Sequence, residues 1–241
     1  MSQSNLDMLP GVAELVGSSK AIVVLSGAGL SKASGIPTYR DAAGLWRSAE
    51  NLKYSHTNSY RDAPDEFMLF WQDLGQKLLQ AKPNSGHFAL AELQRKKSST
   101  VLITQNIDGL LQVAGCTRVL ELHGSIRRLQ CEECGLTSEY RLDRCLRCGG
   151  HMRPAVVLFG ESLDELTLSA AQAAANNSDL MILVGTRAEV YPAAFIPFLA
   201  MQNNAKLIVL DTEQTEISSL ADFFVRGNAE ELLPKLIKLS S

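Results

Sequence analysis

Four of the five cysteines stand in two close pairs, Cys131-Glu-Glu-Cys134 and Cys145-Leu-Arg-Cys148, with residues 135–144 between them. Four thiolates so spaced can surround one tetrahedral zinc ion, leaving no open position for chemistry. The spacer is short beside the roughly 15 to 20 residues usual for such pairs. Redox chemistry at a single CxxC is the rival, but two adjacent knuckles in a polar stretch fit a structural metal better. Cys116 stands alone and reads as a small buried apolar residue.

A second cluster of chemistry-bearing residues begins at Ser26-Gly27-Ala28-Gly29-Leu30-Ser31, directly after an apolar run. Glycines there permit a tight turn and let the backbone approach a pyrophosphate, which the N-terminus of a following helix favours electrostatically. The pattern is incomplete as a dinucleotide fingerprint, because Lys32 stands where a third glycine belongs and no clear acidic residue ends a second strand. A plain strand-turn-helix stays open on these residues alone. Gln105, Asn106 and Asp108 follow a second apolar run. An amide there can donate and accept together, and a carboxylate can accept from an amide NH₂; helix capping is the other reading. His123 ends a third short run, and an imidazole of ordinary pKa near 6.5 is mostly neutral at working pH and suits a general base. A lone histidine is more often structural.

The elements that must position these groups alternate. Residues 21–25, 101–104, 155–158, 181–184 and 207–210 read as buried parallel strands, rich in Val, Ile and Leu and bounded by Gly, Ser, Thr or Asp. Residues 85–96 and 163–175 read as helices between them, and 229–239 as an amphipathic closing helix. Strand, helix, strand in alternation predicts an α/β fold with a Rossmann-like, doubly wound parallel sheet, its strand-to-helix loops gathered at one edge. Two stretches break the rhythm. Residues 41–82 are aromatic, with Phe67, Phe70, Trp71 and Leu74 at helical spacing, and residues 124–154 carry the cysteines. Both read as inserts forming a smaller helical and zinc-ribbon lobe on a discontinuous sheet domain of residues 1–40, 83–123 and 155–241.

Composition limits the function classes. With 46% hydrophobic and 20% charged residues, the 241-residue chain has ample material for a core. A net charge of −3 gives no reason to expect nucleic-acid or membrane binding. The Arg127-Arg128 and Lys96-Lys97 pairs are short and read as solvated surface. No stretch approaches the roughly 20 apolar residues that span a bilayer, and residues 1–10 lack a basic start and apolar signal core. A cytoplasmic location is the default expectation.

The continuation of the glycine loop, Gly27-Ala-Gly-Leu-Ser31-Lys-Ala-Ser34-Gly35-Ile36-Pro37-Thr38-Tyr39-Arg40-Asp41, resembles the nucleotide-binding loop of sirtuins. The resemblance recurs at Thr104-Gln105-Asn106-Ile107-Asp108, at Leu122-His123-Gly124, at Arg153-Pro154 with residues 156–161, and at Gly185-Thr186 with residues 190–194. It implies a lysine deacylase that consumes NAD as co-substrate and carries a structural zinc. In that reaction the acyl oxygen of a modified lysine displaces nicotinamide, and a ribose hydroxyl then takes the acyl group onto ADP-ribose. By resemblance His123 is the base, and Asn106 positions a water and the nicotinamide ribose. Asp108, with Ile107 beside it, binds the carboxamide. Gly27, Ala28, Gly29, Ser31, Ile36, Thr38, Tyr39, Arg40 and Gln105 line the cofactor on one side. Gly185, Thr186 and Asp211 serve the diphosphate and adenosine ribose. Tyr39 replaces the family's usual Phe, Arg187 its Ser, and Asp211 its ribose-gripping Asn.

Val157, Leu158, Phe159 and Gly160 match the family's substrate-docking strand, which takes an extended acyl-lysine peptide by strand addition. The front of the chain looks most like the bacterial-type branch that removes succinyl and malonyl groups. That branch holds the distal carboxylate with Tyr and Arg in a YxxR spacing, where this chain has Trp71 and Leu74. Neither replaces a bidentate guanidinium, so a neutral acyl group, acetyl or longer, is expected; plain helix core is the other reading of these two residues. The rival functions are a protein ADP-ribosyltransferase or NAD glycohydrolase using the same pocket, and a non-catalytic NAD- or peptide-binding module. Oligomeric state is not written in the sequence.

Overall fold

The computed structural model of the chain describes residues 3–38, 52–139 and 144–240. Among them, nine strands form two sheets. In chain order the strands are β1 (Ile22–Ser26), β2 (Val101–Thr104), β3 (Val119–Glu121), β4 (Gly124–Cys131), β5 (Thr137–Glu139), β6 (Met152–Val156), β7 (Leu180–Val184), β8 (Lys206–Asp211) and β9 (Phe223–Arg226). The large sheet is parallel throughout and runs β3-β2-β1-β7-β8-β9. Strand order therefore reverses between β1 and β7, and ligands of doubly wound sheets bind at such a switch point.

Side chains on successive strand residues point to opposite faces, and two cores result. Ile22, Val24, Leu102, Ile182, Ile208 and Leu210 pack under helices α1 (Gln3–Ser18), α4 (Ser85–Lys96) and α8 (Ala229–Leu239). Val23, Leu25, Ile103, Met181, Leu183, Leu207 and Val209 pack under α6 (Glu165–Asn176) and α7 (Ile196–Gln202). Burial on both faces explains the continuous apolar runs; each such side chain contributes about 1.5–3 kcal/mol. Helix α8 carries Pro234, which leaves the Glu230 carbonyl without its intrahelical donor. The Ser85 hydroxyl donates to that carbonyl at 2.6 Å and ties α8 to the start of α4.

The small sheet is antiparallel, in the order β5-β4-β6. This corrects one expectation. Residues 155–158 do not form a strand of the large sheet: residues 155 and 156 end β6, paired with Ser125 and Gly124, and the chain then leaves the sheet. The short helices α2 (Thr57–Asp62) and α5 (Leu110–Val113) and the longer α3 (Pro64–Gln80) complete the α-helices among the described residues. Phe67, Trp71, Leu74 and Leu78 of α3 pack with Ile126, Val156 and Leu158, so the helical segment and small sheet share one core. Several elements went unforeseen, among them two in the sheet domain. Helix α1 buries Leu9, Val12 and Val16 despite Pro10 inside it, and β9 adds an edge strand.

Candidate active site

The register of the large sheet puts its chemistry on one line. Ser26 pairs with Thr104 and Val184, Thr104 with Glu121, and Val184 with Leu210. Gly27, Gln105 and Gly185 therefore leave the sheet side by side next to Asp211, the last residue of β8, with His123 two positions past β3. A cavity of about 810 Å³ opens there, between the sheet edge and the small lobe. Its lining includes every predicted cofactor and substrate residue except Tyr39 and Arg40, which lie outside the described residues.

The glycine loop and the turn after β7 are packed against each other. A Cβ on Gly29 would lie 2.5 Å from the Gly185 Cα, and one on Gly27 would lie 2.8 Å from the Gly185 carbonyl oxygen. The Gly29 N–H donates to that oxygen at 3.0 Å. The glycines are thus required by contact between two backbones at the switch point, before any ligand is considered. The segment that follows, Ala28–Ser34, is a 3₁₀ turn rather than the expected α-helix.

Below the loop runs a buried hydrogen-bond chain. The Ser31 hydroxyl donates to Asp108 Oδ2 at 2.7 Å and accepts from Asn106 Nδ2 at 3.2 Å. His87, fully buried on α4, approaches the same hydroxyl with Nε2 at 3.4 Å. Its Nδ1 accepts the Asn84 N–H at 3.2 Å, so the ring proton belongs on Nε2 and points at Ser31. Burial lowers the His87 pKa to about 4, keeping the ring neutral. Asp108 Oδ1 accepts the Leu110 N–H at 2.8 Å across a tight turn; the residue that caps the helix is Gly109, so neither Asn106 nor Asp108 is the N-cap. Burial raises the Asp108 pKa, opposed by those N–H and O–H donors and by the Arg127 charge.

Asn106 also donates through Nδ2 to the Gly27 carbonyl at 3.0 Å, which turns its Oδ1 away as an acceptor with no partner among the described residues. His123 Nδ1 lies 2.9 Å from the Gln105 carbonyl, the residue adjoining Asn106. A carbonyl can only accept, so Nδ1 carries the proton and Nε2 is left basic. Burial lowers the His123 pKa and this hydrogen bond raises it, with burial the larger effect. Gln105 Nε2 donates to Thr186 Oγ1 at 2.8 Å and joins the two halves of the sheet edge.

At the far end of the cavity Arg187 is paired with Glu189 at 2.8 Å and Glu213 at 3.2 Å, beside Asp211. The opposite end is apolar: Trp71, Leu74, Leu78, Val156 and Leu158. The Trp71 indole N–H donates to the Tyr54 carbonyl at 3.0 Å, so its polar edge is satisfied within the lobe. Phe159 is half exposed, and its backbone pairs with Ser55 at 2.8 Å and Thr57 at 3.1 Å.

Remote from the cavity, the sulfurs of Cys131, Cys134, Cys145 and Cys148 all lie within 4.8 Å of one another. The closest pairs are 3.5 and 3.6 Å apart. Tetrahedral Zn–S bonds of about 2.3 Å require sulfurs about 3.8 Å apart. The cluster fits a closed structural zinc site, and Cys116 is buried far from it in the sheet core.

His87 and the Arg153 ion pairs were not foreseen as parts of this region. The signal for His87 was Asn84-Ser-Gly-His87, a cap residue with a hydrogen-bonding side chain three positions on.

Comparison with known proteins agrees with this geometry. The model of the Sir2 family matches residues 27–192. The NAD-dependent protein deacylase of Pyrococcus furiosus is 38% identical over 243 residues, covering 96% of this chain and 97% of its own. A solved Sir2 homolog–NAD complex superposes with a TM-score of 0.88 at 34% identity, covering 95% of this chain and 92% of that one. A Sir2 protein with a deacetylated p53 peptide and 3′-O-acetyl ADP ribose superposes with a TM-score of 0.86 at 30% identity, covering 95% and 97%.

Proposed function

The chain belongs to the Sir2 family and is an NAD-dependent protein deacylase, and from that premise we propose that it moves neutral acyl groups from protein lysine to ADP-ribose with His123 as general base. One observation carries the reading: the imidazole of His123 is hung on the Gln105 carbonyl, next to Asn106, at the rim of the switch-point cavity. When bound, NAD supplies the bond to nicotinamide that breaks and the ribose that receives the acyl group.

The residues divide the work by position. His123 presents unprotonated Nε2 and takes the proton from a ribose hydroxyl. Asn106 Oδ1 accepts from a ribose hydroxyl or water, its Nδ2 being held by Gly27 and Ser31. Asp108 accepts the carboxamide of nicotinamide beside Ile36 and Ile107, with its carboxylate fixed by Ser31 and Leu110. Gly27, Ala28, Gly29, Ser31, Thr38 and Gln105 hold the near side of the cofactor, joined by Tyr39 and Arg40; Gly185, Thr186 and Asp211 hold the adenosine side. A zinc ion held by the four cysteines supplies folding energy to the small lobe and no chemistry.

Substrate enters along residues 157–160. The Val157 N–H is taken by the His123 carbonyl at 2.9 Å, while the Val157 carbonyl has no partner among the described residues. It is available to an extended peptide, the interaction that strand addition uses. Trp71, Leu74, Leu158 and Phe159 line an apolar acyl channel. A succinyl carboxylate there would lose its hydration with no guanidinium at position 74 to receive it. Acetyl and longer neutral chains are therefore preferred, although the front of the chain resembles the desuccinylase branch. Turnover of acetyl-, octanoyl- and succinyl-lysine versions of one peptide tests this, and preference for succinyl would refute it.

The same reading places the enzyme in the cytoplasm, where a reducing environment keeps four cysteines as thiolate ligands. No helix among the described residues is long and apolar enough to cross a membrane. All the groups invoked lie in one chain, so a monomer suffices.

A further inference from the structure

Arg153 is the second residue of β6 and is buried, an unusual place for a guanidinium. Its donors are distributed over three separate structures. Nε is paired with Glu132, which lies between the two cysteines of the first knuckle. Nη2 donates to Glu161 Oε1 at 2.6 Å, and Nη1 to the Val156 carbonyl at 3.0 Å. The other oxygen of Glu161 accepts the Leu158 N–H at 2.9 Å, and the Glu161 N–H returns to the Leu158 carbonyl at 3.0 Å. Residues 158–161 are thereby closed into a loop whose single polar pin, Glu161, is gripped by Arg153.

We propose that Arg153 is a positioning residue that couples the cysteine cluster to the peptide-docking segment through Glu132 and Glu161. The inference rests on the docking reading of residues 157–160 given above. Folding of the knuckle around its metal fixes Glu132. Glu132 orients one edge of the planar guanidinium, and the remaining donors then hold Glu161 and the Val156 carbonyl at set angles. A buried guanidinium that loses one carboxylate must turn toward the other or seek water, because an unpaired buried charge is strongly unfavourable. Either movement displaces the pin of the 158–161 loop. The cofactor-side groups Gly27, Ser31, Asn106 and Asp108 are held by their own hydrogen bonds, and where the docking segment meets the catalytic side, at the Val157 N–H on the His123 carbonyl, the His123 ring stays fixed by Gln105. The cluster therefore sets peptide affinity as well as fold.

The decisive variant is Glu132→Gln, which keeps all four cysteines. Binding of a fluorescein-labelled acetyl-lysine peptide is measured by anisotropy, together with zinc content and steady-state kinetics. Peptide Kd and KM should rise roughly three- to thirtyfold, with one zinc per chain and the KM for NAD and the kcat unchanged. Glu161→Gln should weaken the peptide similarly, and the double variant should lose less than the product of the two single effects, because both act through Arg153. Arg153→Lys should restore neither contact pair, since an ammonium lacks the fork. Unchanged peptide affinity in Glu132→Gln with full zinc would overturn the coupling, as would equal rises in both KM values or multiplicative single effects. Phe159→Ala separates the two layers. If it weakens the peptide while Glu132→Gln does not, only the coupling fails; if it leaves the peptide untouched, the docking reading fails and takes the coupling with it.

Discussion

His87 gives the protein one calculable contribution to its acid sensitivity. Its ring is fully buried, its Nδ1 accepts the Asn84 N–H, and its Nε2–H points at Ser31. Burial lowers its pKa to about 4 from an ordinary value of 6.5. The unfolded chain therefore takes up a proton near pH 6.5 that the folded chain refuses until near pH 4. The stabilising difference is fully present above the unfolded value and is lost as pH falls toward the folded one. Linkage gives a loss of roughly 2 kcal/mol between pH 7 and pH 5 from this residue alone. Urea unfolding at both pH values measures it, with His87→Asn as the reference, since Asn cannot titrate there. His123 and the cysteines remain in both proteins and cancel in the difference. The wild type should lose about 2 kcal/mol more than the variant over this range. Parallel losses in the two proteins would refute the assignment of a neutral, buried His87.

Three further outcomes follow from the site. His123→Ala should lower kcat/KM about 10²- to 10⁴-fold while isothermal titration shows NAD binding retained; because burial lowers the His123 pKa, the acid limb of the wild-type kcat/KM profile should lie below pH 6.5, and a midpoint above it would contradict the geometry. Leu74→Arg combined with Trp71→Tyr should shift the ratio of succinyl to acetyl turnover upward by about tenfold or more, read by mass spectrometry of the peptide. Cys145→Ser should release zinc, measured by a chromogenic chelator, and unfold the small sheet, seen as lost amide protection in residues 124–156, before the large sheet opens.

The sheet was legible because strands buried on both faces must be apolar throughout, and runs such as Ile22–Ser26 and Leu180–Val184 show it directly. The closing helix was legible from its single apolar stripe, Leu232, Leu233, Leu236 and Ile237. The misplaced run at 155–158 is equally apolar because β6 is covered by β4 and α3; composition reports burial, and only pairing reports which sheet does the burying. Helix α1 was hidden by Pro10, whose cost is outweighed by tertiary burial of the same helix. Short β9 lies between Asp222 and Gly227 and offers four residues to read.

At the site, residues joined by local spacing were readable and residues joined by folding were not. Gly27 to Ser31 and the two knuckles announce themselves within a few positions. The contact of Gly29 with Gly185 spans most of the chain, and so does its reason for being glycine. His87 looked like one more helical residue until α4 set it against Ser31. Arg153 looked like half of an Arg-Pro marker until Glu132 and Glu161 closed around it.

The most direct test of the central claim is a mass-spectrometric inventory of products from NAD and an acetyl-lysine peptide, with wild type and His123→Ala side by side. Nicotinamide, free lysine peptide and O-acetyl-ADP-ribose are expected in equal amounts from the wild type, with the last formed about 10²- to 10⁴-fold more slowly by the variant. Free ADP-ribose formed without peptide, ADP-ribose attached to protein, or O-acetyl-ADP-ribose made at the full rate by His123→Ala would contradict the claim.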